Sequence, residues 1–127
     1  MKHAPLFLTA LLFFTGCVGA RLARLTQPEG RYAPAIHAAG SIGFSPDRAA
    51  TLRDIAGKTD LTDAEQIYLL EVLEIAGGFS GDKKKVLLAL LSNRSVTAPT
   101  RKRISEILPK LGLFSGDAKA VADALAG

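Results

Sequence analysis

The chain is 127 residues long and carries 16 Lys and Arg against 12 Asp and Glu, a formal net charge of +4. Its 48% hydrophobic and 22% charged residues make an ordinary globular mixture, which excludes a disordered or fibrous class. Trp is absent, and a single Cys excludes an internal disulfide and a multi-thiolate metal site. So mild a charge, without a dense basic face and interleaved aromatics, argues against a nucleic-acid binder.

The first element is a targeting segment. Lys2 precedes the apolar run Leu6 to Phe14, and Thr15-Gly16-Cys17 follows it. A positive start, an apolar core of about 7–15 residues and small residues after it are the marks of a secretory signal. The run is too short for a membrane span, which needs roughly 20 apolar residues. Phe14-Thr15-Gly16-Cys17 resembles the lipobox of bacterial lipoproteins, with Phe14 in place of the usual Leu. The resemblance implies a signal peptide over 1–16, lipidation of Cys17, and cleavage that leaves Cys17 first. The rival reading is an ordinary signal cut after Val18-Gly19-Ala20, which discards Cys17 and leaves a soluble periplasmic protein. The only Cys stands immediately after the apolar core, and this favours the lipoprotein. Several acyl chains together anchor firmly, where a single one gives only marginal binding. Val18 follows the Cys where an Asp would, by the same resemblance, favour the inner membrane. The expected address is therefore the cell envelope, lipid-anchored, at the outer membrane facing the periplasm.

Removing 1–16 leaves 111 residues with 15 basic and 12 acidic side chains. Residues 17–43 read as a lipid-anchored flexible tether, with one possible short helix from Pro34 to Gly40. Arg21, Arg24 and Arg31 lie in it, either attracting anionic headgroups or simply solvated.

Residues 44–127 read as an all-α repeat domain. Phe44-Ser45-Pro46-Asp47 recurs as Phe79-Ser80-Gly81-Asp82 and as Phe114-Ser115-Gly116-Asp117, at intervals of 35 residues. Leu52 and Leu87, Glu71 and Glu106, Leu73 and Leu108, and Gly77 and Gly112 keep the same register. A fixed period of this size marks stacked supersecondary units, here helical hairpins amounting to about five helices. Ser45, Ser80 and Ser115 suit N-caps. Pro46 suits the first helical position, and Asp47, Asp82 and Asp117 suit the positive end of the helix dipole. Thr62-Asp63-Ala64-Glu65 is a capping box, and Gly77-Gly78 a stop. A further helix opens near Thr97, and its stripe Ile104, Ile107, Leu108 and Leu111 has helical spacing. Pro109 should kink it or end it before Leu111. Val86, Leu87, Leu90 and Leu91, then Ala118, Val121, Ala122 and Leu125, form further apolar stripes. Phe44, Phe79 and Phe114 are expected to fill the joints between successive helix pairs; the alternative is a ligand-facing aromatic set. Units of this form resemble short bacterial helical-repeat domains of unassigned function found in exported proteins. That resemblance carries no catalytic residues.

No catalytic set can be assembled. His3 lies in the leader and His37 stands alone, so neither a Ser-His-Asp nor a Cys-His arrangement is available. A phosphate loop is missing its glycine spacing. The repeat aspartates are too far apart for a calcium loop, and Asp60, Asp63 and Glu65 flank a helix start. No cofactor and no metal are expected. Lys83-Lys84-Lys85 and Arg101-Lys102-Arg103 are the densest basic runs, read either as solvated helix faces or as a patch for an anionic surface. The expectation is a non-enzymatic, membrane-tethered interaction module with an envelope protein as partner. By size, helicity and anchoring it resembles pilotins, the small helical lipoproteins that escort secretin subunits to the outer membrane. The alternative is an envelope structural protein that binds anionic lipid or cell-wall polymer through the basic runs.

Overall fold

The computed structural model describes residues 17–127, so the signal-peptide reading of 1–16, with Phe14, Thr15 and Gly16 of the lipobox, lies outside the described residues. Every regular element among them is helical: α1 (Cys17–Arg24), α2 (Ala33–Gly40), α3 (Ser45–Ala56), α4 (Asp63–Ala76), α5 (Ser80–Ser92), α6 (Ala98–Ile107) and α7 (Ser115–Ala126). A 3-10 turn, Leu108–Lys110, follows α6. None of these helices is long and apolar enough to cross a membrane.

Local chemistry accounts for the helix ends. Thr62 caps α4, accepting from the Glu65 N–H, while the Glu65 side chain accepts from the Thr62 N–H, so two orphan donors are satisfied reciprocally. Thr97 caps α6 by accepting the Thr100 N–H. α4 stops at Gly77, whose φ of 70° is a left-handed value that favours glycine. Pro109 ends α6 at Ile107 and turns the next residues into the 3-10 turn, as a proline without an N–H should.

The reading of Ser45, Ser80 and Ser115 as N-caps is corrected. Phe44, Phe79 and Phe114 occupy the N-cap position in extended backbone, without a side-chain cap bond, and each serine is the first helical residue. Two of these hydroxyls are committed elsewhere. Ser45 accepts the Phe79 N–H at 3.1 Å and donates to Asp82 at 2.8 Å. Ser80 accepts the Phe114 N–H at 2.8 Å and donates to Asp117 at 2.6 Å. The same pair of bonds therefore ties the first turn of α3 to that of α5, and the first turn of α5 to that of α7.

The helices pack in two rows: α3 on α5 on α7, and α2 on α4 on α6. The core lies between the rows, where Leu52, Leu69, Leu70, Leu87, Leu90, Ile104 and Ile107 are fully buried. Buried polar groups clip the connecting loops to it. Arg48, 7% exposed, donates to Ile42 O and Gly77 O. Gln66 donates to Leu61 O and Ser95 O and accepts the Thr97 N–H. Asn93 donates to Ala56 O and Lys58 O at 2.8 Å each.

The expectation of a flexible tether over 17–43 is also corrected. Leu22, Ile36 and Ala39 are buried and belong to the core. α1 and α2 both lie against α4, covering apolar surface that water would otherwise meet. Gly40 makes the close approach possible, since a Cβ there would stand 2.5 Å from Val72 Cγ1 and 3.4 Å from Leu22 Cδ2. Glu65, 1% exposed, holds the connecting segment by accepting the Tyr32 N–H at 2.6 Å.

Candidate functional site

Cys17 is the first residue of α1, and Arg21 and Arg24 on the same helix are exposed. Arg31 is also exposed and forms a surface pair with Asp60 at 3.4 Å, a contact worth little in water. The Tyr32 hydroxyl donates to Asp60 at 2.6 Å and holds that carboxyl below the usual range, while the same bond pushes the phenol up.

The two basic runs do not form one patch. Burial pushes the Lys83 ammonium down, and the group donates to Leu111 O at 2.6 Å. Lys84 pairs with Asp117 at 3.2 Å. The Ser80 hydroxyl and then this ammonium hold the Asp117 carboxyl below its ordinary value. Arg101 donates to Leu125 O at 2.5 Å, and Arg103 pairs with Glu74 at 3.6 Å. Only Lys85 and Lys102 of the six are exposed without a polar partner among the described residues. The runs are split because consecutive residues of a helix point in different directions.

Phe44, Phe79 and Phe114 do not fill the joints. They are 62%, 66% and 76% exposed, the large apolar side chains most open to water among the described residues. The joint uses the backbone N–H of Phe79 and Phe114 and leaves the rings outside. The rings face solvent, where the alternative of a ligand-facing aromatic set would also place them.

A groove of about 600 Å³ crosses the outer face of the α3–α5–α7 row. Arg53 comes from α3, Lys85, Leu88, Ala89, Leu91 and Ser92 from α5, and Ala124 from α7. Its floor is apolar. Arg53 and Lys85 stand at its edge, exposed and without an ion pair among the described residues. A smaller hollow of about 80 Å³ continues it along the α3–α5 seam past Ala49, Ala50 and Asp82. Long cationic side chains bordering apolar surface can cover it with their stems and hold their charges in water. The arrangement suits an apolar group flanked by negative charge. Its residues come from three helices, and none of them lies in the basic runs except Lys85.

His37 is placed by the fold, its Nδ1 lying 2.7 Å from the Tyr68 hydroxyl with the rings nearly parallel. Burial pushes the Tyr68 phenol up, with the nearby Glu71 charge adding to it. No group of three or more His, Cys, Asp or Glu that would hold a metal occurs among the described residues. No protein-family model matches the sequence, and neither a curated protein nor a solved structure shows significant similarity to it.

Proposed function

We propose that the chain is a non-enzymatic lipoprotein of the cell envelope, tethered through Cys17 at the outer membrane and facing the periplasm. Its helical body is a stack of 35-residue hairpin units, and it binds a protein partner through the groove on α3, α5 and α7. The groove carries this reading: an apolar floor of Leu88, Ala89, Leu91 and Ala124 beside Arg53 and Lys85, two exposed cations without an ion pair among the described residues. A segment that alternates apolar and acidic residues on one helix face fits it, since helix-in-groove recognition buries an apolar stripe and uses rim charges for steering. Stacked helical units commonly present such surfaces to partners. Contact with anionic polymer through the basic runs is less favoured, because Lys83, Lys84, Arg101 and Arg103 are held by the fold.

The test is photo-cross-linking in intact cells from Ala89, with Lys102 as the control position. The expected result is an adduct of one fixed mass from Ala89, lost in the double variant Arg53→Glu/Lys85→Glu and absent from Lys102. Equal adducts from both positions, or an adduct that survives charge reversal, would reject the groove.

A further inference from the structure

The three exposed phenyl rings and the start of α1 lie at the same end of the molecule. Leu22 and Val72 both lie against Gly40, and Val72 is in the C-terminal half of α4. Eight residues later the chain has reached the other end of α4: Gly30 lies against the Glu65 side chain, and the Tyr32 N–H donates to it. The segment therefore runs antiparallel to α4. At about 1.5 Å per residue, the five residues from Leu22 back to Cys17 cover about 7.5 Å, as do the five from Val72 to Gly77. Cys17 thus stands level with Gly77, two residues before Phe79.

That end of the fold also carries the other two rings. Phe44 follows α2 by a short loop, and the Ser45–Asp82 and Ser80–Asp117 bonds hold the first turns of α3, α5 and α7 side by side. Packed helices lie about 8–10 Å apart, so the rings of Phe44, Phe79 and Phe114 form a row at roughly that spacing. All three project into solvent. Asp82 and Asp117 nearby are engaged by serine hydroxyls; Lys110 and Arg21 are exposed cations near the same end, where Asp47 in the first turn of α3 is an exposed acid.

We propose that this edge is the face laid on the membrane, with Phe44, Phe79 and Phe114 inserted into the interfacial region of an anionic bilayer. The inference rests on Cys17 as the anchor. The occupant is a bilayer because the proposed lipid on Cys17 joins the body at this end, at the start of α1. Apolar rings with neighbouring cations are what interfacial surfaces use. The anchor makes ring insertion effectively intramolecular, so three weak contacts suffice to orient the body. The groove on the α3–α5–α7 face then stands beside the membrane, open to a partner.

The absence of Trp makes the test direct. The full chain is expressed as Phe44→Trp, Phe79→Trp, Phe114→Trp and, at the exposed loop between α5 and α6, Arg94→Trp. Each is isolated from cells, its mass is recorded, and it is incorporated into phosphatidylethanolamine–phosphatidylglycerol vesicles with brominated acyl chains. The expected result is a blue shift and loss of most emission for the three Phe variants, with Arg94→Trp unaffected. Acylated protein in which the Phe variants stay as bright as Arg94→Trp overturns the membrane edge and leaves the anchor standing. Unacylated protein overturns the anchor, and quenching then reports the edge on its own. The two claims thus fail separately.

Discussion

Ser80→Ala removes one oxygen that serves two helices. The hydroxyl accepts the Phe114 N–H at 2.8 Å and donates to Asp117 at 2.6 Å, and the residue is 8% exposed. A neutral hydrogen bond contributes about 0.5–1.5 kcal/mol net and one to a charged group about 1.5–3 kcal/mol. Two corrections lower the sum. Asp117 keeps Lys84 at 3.2 Å, and Ala is the better helix former by a few tenths of a kcal/mol, roughly. The expected loss is about 2 kcal/mol, which in a body of this size lowers Tm by about 8 °C. Ser45→Ala should lose a comparable amount, because Ser45 makes the same two bonds to Phe79 and Asp82. Ser115→Ala is the internal control. Its side chain is exposed and has no bond partner among the described residues, so its change should stay within about 0.5 kcal/mol. Thermal unfolding by circular dichroism reads all three, and amide exchange of α7 should rise most in Ser80→Ala. Equal melting of Ser80→Ala and Ser115→Ala would refute the idea that the repeated serine is a joint.

Further outcomes follow from the same geometry. Gly78 has a φ of 115°, and a Cβ there would stand 2.6 Å from Ser45 Oγ, so Gly78→Ala should lose about 2–3 kcal/mol in urea titration. Gly81 opens onto free space within α5, so Gly81→Ala should gain up to about 0.5–1 kcal/mol; a loss there would contradict the stated surroundings. Glu65→Ala leaves both the Thr62 and the Tyr32 N–H without an acceptor, and should lose about 3 kcal/mol. Trypsin should then cut after Arg31 well before global unfolding, and a cutting rate equal to the parent protein's would show that Glu65 does not hold this segment. Asp60 and Asp117 are both held below the ordinary carboxylate value, by the Tyr32 hydroxyl and by the Ser80 hydroxyl with Lys84. Their contribution is complete above the unfolded value of about 3.9 and is lost as pH falls through the lower folded values. Melting temperature should therefore be flat from neutral pH to about 5 and fall below about 4, less steeply in Ser80→Ala.

How far these features were legible depends on whether one local signal specified them. α4 was readable because Thr62, Glu65 and Gly77 mark its two ends and Leu69, Leu70 and Leu73 fill the turn between. Pro109 likewise announced the end of α6. α1 was not readable: eight residues that contribute Leu22 to the core produce no sustained periodicity, and Arg21 and Arg24 dominate the composition. The recurrent Phe-Ser-x-Asp was visible as a pattern but misassigned in detail. A serine beside a helix start usually caps it, whereas here its hydroxyl reaches a residue 37 positions away. The three phenylalanines were expected inside because large aromatic side chains normally bury. The N-cap backbone instead turns them outward, a consequence of dihedral geometry rather than of residue type. Arg53, Leu88 and Ala124 meet only after three helices are laid side by side, and no spacing in the chain signals such a groove.

The intact mass of the mature protein tests the proposed anchor at Cys17 most directly. The expected result is a membrane-fraction species that begins at Cys17 and carries acyl mass. A lipid-free species beginning at Arg21 in the periplasmic fraction would contradict it.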